Sequence, residues 1–280
     1  MRISTLAIVG IGLLGGSIAL AARRRNVAAR IVGVDRQSET RNRAVSEGIL
    51  DEAHSDLPSA AAADLLVFCT PVDCIAAQVV EASSYCRPGT LLTDVGSTKA
   101  AIVRDVRGRL PAGVEFVGSH PLAGSEKHGL AHAGTHLLEG RLVVVTPTVD
   151  TTDNALLRIR DFWTALGARV QVMDAGEHDR ALALTSHLPH LLSSALAGIL
   201  PPEWYGLTAT GFRDTTRLAA GPPNLWSAIF HANRTHLLTA LDGLEEQLRH
   251  FREALLAENR DALERLLQQG KKIREDLSKS

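Results

Sequence analysis

Short runs that are apolar at nearly every position alternate with longer stretches of helical periodicity in the first part of the chain. The runs cover residues 6–9, 31–34, 65–69, 91–93 and 142–145. Such runs fit strands covered by helices on both faces, and right-handed crossovers between them make a doubly wound parallel sheet the expected architecture. A helical stretch over residues 153–166 and an apolar run over residues 168–173 are expected to extend that sheet. After Asp174 the strand signal ends. Residues 177–199, 225–256 and 260–277 read as helices, punctuated by Pro201, Pro202, Pro222 and Pro223. The expected fold is therefore α/β: a doubly wound domain over residues 1–173, then an all-helical domain over residues 174–280.

Composition fits two soluble globular domains, with 45% hydrophobic and 22% charged residues. Thirty basic against thirty-one acidic residues give a formal net charge of −1. No global field exists to hold nucleic acid or an anionic membrane, so neither partner is expected and an anionic ligand must be held by local charges. Cys69, Cys74 and Cys86 match no zinc or redox spacing and read as reduced thiols. The apolar stretch after Met1 ends in glycines beyond Val9, too short for a membrane span and without a cleavage site, so a cytoplasmic protein is expected.

Gly10-Ile11-Gly12-Leu13-Leu14-Gly15 follows the first apolar run and opens a helical stretch. In that context each glycine has a reason: a tight turn, a bare backbone against a pyrophosphate, and close packing of helix on strand. The first domain is thus expected to be a Rossmann domain. Asp35 ends the second run, about 20 residues beyond the last fingerprint glycine, where an acid accepts hydrogen bonds from a ribose. A carboxylate there repels a 2′-phosphate and favours NAD over NADP, with Arg36 partly offsetting the repulsion. Thr70-Pro71 and Asp94-Val95-Gly96-Ser97 follow the third and fourth runs and are expected to line the cofactor crevice. Ser97 also reads as the N-cap of a helix through Arg107.

The segment Gly118-Ser119-His120-Pro121-Leu122-Ala123-Gly124-Ser125-Glu126-Lys127 is rich in turn formers and ionisable groups and reads as a loop carrying His120 to the ligand edge of the sheet. His187 and His190, three apart, share one face of an apolar helix, as core histidines or as the polar wall of a cleft. His178 is on the opposite side of an unbroken helix, so it has another purpose or the helix bends near Pro189. The histidine spacing lacks a zinc-hydrolase pattern, and no metal site is expected. Gly211-Phe212-Arg213-Asp214-Thr215-Thr216-Arg217 brings guanidinium groups, suited to bidentate carboxylate recognition, into the helical domain.

Taken in order, the glycine fingerprint, residues 94–99, the His120 segment, Ser186-His187-Leu188-Pro189-His190 and the Arg217 segment resemble the prephenate and arogenate dehydrogenase family over most of the chain. The resemblance implies NAD-dependent oxidative decarboxylation of prephenate to 4-hydroxyphenylpyruvate in tyrosine biosynthesis. By it, His120 corresponds to the catalytic histidine that takes the ring hydroxyl proton, and Ser97 to the serine that holds His120, substrate and nicotinamide together. Arg217 corresponds to the arginine that grips a substrate carboxylate. His187, His190 and Ser125 then line the substrate pocket, with Glu126 and Asp179 at its mouth. A homodimer through the helical domain is implied as well. Arogenate dehydrogenase, a dual-specificity cyclohexadienyl dehydrogenase, a hydroxyacid dehydrogenase and a non-catalytic NAD-binding protein are the alternatives. Lys127 and His128 keep the neighbourhood of Glu126 cationic, which favours prephenate over the ammonium-bearing arogenate.

Overall fold

The structure is a computed structural model that describes residues 3–123 and 129–279. Six strands form one parallel sheet: β1 (Ile3–Val9), β2 (Ala28–Val34), β3 (Glu52–His54), β4 (Leu65–Phe68), β5 (Leu91–Asp94) and β6 (Glu115–Phe116), in the order β3-β2-β1-β4-β5-β6. Crossovers run through α1 (Leu13–Arg24), α2 (Ser38–Ser46), α3 (Val72–Ser83) and α4 (Ala100–Val106). This is the doubly wound topology expected from the apolar runs. Alternation along each strand sends Leu6, Ile8, Leu65 and Val67 into one buried cluster. Ala7, Val9, Leu66 and Phe68 enter another on the opposite face. Both faces are thus dry, which is why the runs are apolar at consecutive positions.

The strand order reverses between β1 and β4, so ligands are expected beyond their carboxyl ends. There Gly10 has a φ of +92°, and a Cβ on it would stand 2.8 Å from the Cys69 carbonyl oxygen. A Cβ on Gly15 would stand 2.0 Å from the Gly10 carbonyl oxygen, whereas one on Gly12 would meet nothing within 4 Å. Two of the three glycines are required by the fold, and the third leaves space at the N-terminus of α1.

The chain departs from expectation after β6. Residues 142–145 and 168–173 do not extend the parallel sheet. They form β8 (Leu142–Thr146) and β9 (Arg169–Val172), which with β7 (Gly118–Pro121) make a second sheet of three strands in the order β7-β8-β9. β7 runs antiparallel to β8, pairing His120 with Val144, while β8 and β9 are parallel across α5 (Asp153–Ala165). His120 therefore sits in a strand, not in the loop expected from its turn formers. Pro121 is tolerated because β7 is an edge strand, where a missing N–H breaks no ladder.

From Asp174 onward the described residues are helical: α6 (Ala175–Leu182), α7 (Leu188–Gly198), α8 (Thr210–Thr216), α9 (Pro223–Ala232), α10 (Arg234–Leu256) and α11 (Arg260–Leu277). The Asp174 carboxylate caps α6 through the Gly176 and Glu177 amides. A π-helical turn, Ala183–His187, links α6 to α7 just ahead of Pro189. The stretch expected as one helix over residues 225–256 is broken at Asn233, whose side chain is buried and engaged elsewhere. By packing, the chain divides into Met1–Arg234 and Thr235–Ser280. Among the described residues no helix is long and apolar enough to cross a membrane.

The glycine geometry makes a stability prediction. Gly15→Ala, which drives a methyl into a backbone carbonyl, is expected to destabilise the chain by roughly 1–3 kcal/mol or more in urea unfolding. Gly12→Ala is expected to leave the unfolding midpoint within the error of the wild type. Equal loss in both variants contradicts the assignment.

Candidate active site

Alternation along β7 separates Ser119 from His120. Ser119 points into the core, where its Oγ accepts from Trp163 Nε1 at 3.0 Å and bonds Thr93 Oγ1 at 2.8 Å. Thr93 spends its own hydroxyl proton on the Val117 carbonyl, so Ser119 is the donor between the two hydroxyls. The hydroxyls of Thr93 and Ser119 and the Trp163 indole are all satisfied by these bonds, which hold β7 against β5. His120 is thereby aimed to the other side.

There its Nδ1 lies 2.8 Å from Nε2 of His178 on α6. His178 Nδ1 lies 2.8 Å from Asp179 Oδ1. Asp179 also accepts from the Lys99 amide at 2.7 Å and the Ala100 amide at 2.9 Å, so it caps α4 from a distant part of the chain. Two expectations change. Ser97 is not the cap of that helix, and Asp179 does not stand at the mouth of a pocket: its side chain is buried and its oxygens are occupied. A carboxylate out of water needs donors, and these three supply them.

The phase of His178 follows from the π turn. Over nine residues of regular helix, His178 and His187 would be roughly opposite; one residue inserted by the π turn reduces the separation to about 80°. Sequence periodicity missed this. The adjacent His178-Asp179 pair was a signal for it, since a carboxylate beside a buried histidine orients the ring.

Burial, and then His178, Lys99 and His187, hold the pKa of His120 well below the ordinary imidazole value. His120 is thus a neutral ring with 8% exposure, buried but reached by solvent at one edge. Burial likewise lowers His187 to about 4, with Asp179 opposing and His178 and His190 adding to the shift. The Asn233 amide donates to the Asp179 carbonyl at 2.7 Å and lies 3.0 Å from His187 Nδ1. His190, lowered by burial, stacks on Trp226 with ring centroids 3.5 Å apart. Nε2 of His187 and Nδ1 of His190 are buried without a partner among the described residues. An unpartnered buried polar atom costs roughly 1–3 kcal/mol, which a ligand bearing acceptors or donors can offset.

Asp94, expected to line the cofactor crevice, is turned inward. Its carboxylate is fully buried and bonded to Lys99 Nζ, the Gly96 amide at 2.8 Å and the Ser119 amide at 3.0 Å. Gly96 is packed against this carboxylate and against Ile75 and Ile102. The Lys99 ammonium also donates to the Ser119 carbonyl at 2.9 Å, so the Asp94–Lys99 pair braces the strand that carries His120. Neither Lys99 nor Asn233 carried a sequence signal for these roles.

The remaining candidates take these places. Gly12, Leu13 and Leu14 start α1, and Thr70 and Pro71 precede α3. Asp35 follows β2, where Oδ2 accepts from the Ile11 amide and Oδ1 from the Gln37 amide, both at 2.9 Å. It holds the fingerprint turn to the end of the second strand, and Arg36 is exposed beside it. Ser97 is half-buried between β5 and α4. Arg217 is exposed in the 3-10 turn Arg217–Ala220, which is tied to α7 by the Ala219 amide donating to Ser193 Oγ at 3.1 Å. Ser125 and Glu126 lie outside the described residues.

The model of the prephenate dehydrogenase nucleotide-binding domain matches residues 18–172, and that of the prephenate dehydrogenase dimerization domain matches residues 174–269. The cyclohexadienyl dehydrogenase of Zymomonas mobilis is 32% identical over 279 residues, covering 96% of this chain and 94% of that protein. The structure of prephenate dehydrogenase from Aquifex aeolicus, in complex with hydroxyphenyl propionate and NAD+, superposes with a TM-score of 0.93 at 31% identity, covering 99% of both chains. Arogenate dehydrogenase of Synechocystis gives a TM-score of 0.82 at 30% identity, covering 98% of this chain and 99% of that one. Matched over both its sheet-bearing and its helical parts, the chain belongs to the prephenate dehydrogenase family.

Proposed function

We propose that the chain oxidatively decarboxylates prephenate to 4-hydroxyphenylpyruvate with NAD, and that His120 is the base that takes the substrate's hydroxyl proton. The observation that carries this reading is a neutral, buried histidine held on a rigid strand, with its Nδ1 engaged. A base must be uncharged to accept a proton, and burial keeps His120 so.

The residues for the cofactor fit a dinucleotide. Gly12 leaves bare backbone at the N-terminus of α1, which suits a pyrophosphate, and Asp35 stands at the end of β2, which suits a ribose. NAD, when bound, supplies the hydride acceptor. Residues 1–173 hold it in this reading, while residues 174–280 bring the substrate groups and the dimer interface. Arg217 is the carboxylate clamp, and His187, His190, Ser125 and Glu126 complete the pocket, with Ser97 positioning the reacting groups. A chain with a net charge of −1 offers a dianionic substrate no general attraction, so the guanidinium has to provide it locally. Loss of carbon dioxide then follows from the aromaticity of the product, and the phenolate it leaves takes the proton back from His120, so no further acid or base is required of the protein. For the dimer, α10 and α11 leave Leu248, Leu255, Leu267 and Ile273 exposed. Apolar side chains of that kind are what an interface between copies buries.

A second reading is favoured by the relatives themselves: one is an arogenate dehydrogenase and another a cyclohexadienyl dehydrogenase. Steady-state assays with prephenate and with arogenate, each with NAD and with NADP, separate the two. The expected result is the highest kcat/KM for prephenate with NAD. Turnover of arogenate alone replaces the substrate, and turnover of neither overturns the reading.

His120→Asn keeps a hydrogen bond to the hydroxyl but accepts no proton, so kcat is expected to fall by roughly 10²- to 10⁴-fold while KM for prephenate moves little. An unchanged kcat assigns the proton to another group. The pH profile carries a sign. Activity is full above the pKa of His120 and lost as pH falls through it, and that pKa is depressed. The acid limb of kcat/KM is therefore expected below 6.5, the ordinary imidazole value. A limb above 6.5 contradicts the neutral, buried base.

A further inference from the structure

His178 and Asp179 are both buried, and His178 faces the Nδ1 edge of the His120 ring. We propose that they are positioning residues which fix the tautomer of His120, leaving its Nε2 bare as the proton acceptor. The proposal rests on the assignment of His120 as the base.

Donors and acceptors alternate along a chain of hydrogen bonds from Asp179 to His120. An ionised carboxylate only accepts, so the ring nitrogen facing Asp179 Oδ1, His178 Nδ1, carries the proton. A neutral imidazole has a single N–H, so His178 Nε2 is then an acceptor. Across its 2.8 Å contact with His120 Nδ1, the donor must be His120. His120 has thus spent its one N–H, and its Nε2 lone pair is what remains. A ring turned to the opposite tautomer would put a proton where the base needs a lone pair, and two lone pairs would face each other between the histidines.

The carboxylate at the end of this chain is held so that it cannot swing away. The Lys99 and Ala100 amides fix its two oxygens, and the Asn233 amide fixes the Asp179 carbonyl behind it. The ring edges of His120 and His178 meet at 73°, with centroids 5.1 Å apart, so each ring plane is set by the other. During the reaction the substrate O–H bond breaks, its proton joins His120 Nε2, and its electron pair becomes the carbonyl as hydride leaves the same carbon for the nicotinamide. The imidazolium formed then donates through Nδ1 to His178, and the Asp179 charge behind His178 stabilises it. Lys99, which is paired with Asp94, opposes a charge on His120, so the stabilising countercharge is that of Asp179.

The test compares His178→Gln with His178→Leu in the full-length protein, using NAD and prephenate. Gln offers an oxygen to accept from His120 and an amide to donate to Asp179, so it keeps the direction of the chain; Leu offers neither. The expected result is a kcat within about tenfold of wild type for Gln and a fall of roughly 10²- to 10⁴-fold for Leu, with KM for prephenate and the affinity for NAD little changed in both. Equal loss in Gln and Leu, or a Leu variant with wild-type kcat, overturns the proposal. If the Leu variant does not fold, Asp179→Asn replaces it. That variant retains an oxygen for the Ala100 amide, gives up the bond from the Lys99 amide, and can donate to His178 and reverse the chain, so the same fall in kcat at constant KM is expected, and wild-type kcat again overturns the proposal. Failure of the underlying reading looks different: there, the wild type itself turns over no prephenate, or His120→Asn retains full kcat.

Discussion

A carboxylate removed from water has to be surrounded by donors, and in this chain the arrangement around Asp179 satisfies that constraint in a way that organises the rest of the site. Its oxygens accept the first amides of α4 and the ring N–H of His178, and its carbonyl accepts from Asn233 at the junction of α9 and α10. Leaving a buried charge uncompensated costs several kcal/mol, so these elements have little freedom to move apart. The sheet-bearing part of the chain is joined at this residue to α6 and to the end of α9. His120 inherits its orientation from the same point.

A second buried charge cooperates with the first. Lys99 follows β5 and pairs with Asp94 while donating to the Ser119 carbonyl, so the backbone next to His120 is braced from below as its ring is braced from behind. Lys99 contributes its amide to Asp179 and its ammonium to Asp94, and one residue thus links both supports. A ring held by its strand on one side and by a hydrogen-bond chain on the other has little reorganisation left to do if it accepts a proton.

The parallel sheet and its nucleotide turn were legible in the sequence because they depend on local rules. Consecutive apolar positions reflect strands covered on both faces, and the three fingerprint glycines occupy positions with distinct steric reasons, two of them set by approaching carbonyls. His120 was legible as a chemical group, but its setting was not. The turn formers around it suggested a loop, whereas Pro121 occupies an edge strand of a second sheet whose antiparallel pairing with β8 depends on residues distant in sequence. The role of Asp179 was hidden for a similar reason, since its partners lie some 80 residues away in the chain. His178 was hidden by the π turn, which shifts the helix phase on which a periodicity argument relies. Ser97 looked like a helix cap because short polar residues before a helix usually are, yet here the cap comes from another element.

In the proposed arrangement His120 presents a bare Nε2 because its Nδ1 proton is committed to the His178–Asp179 pair. Nitrogen-15 NMR of the histidine-labelled protein at neutral pH, with His120 assigned by comparison with His120→Asn, reads this directly. The expected result is a protonated Nδ1 and an unprotonated Nε2 on His120, with the proton of His178 also on Nδ1. A His120 protonated on Nε2, or on both nitrogens at neutral pH, would contradict it.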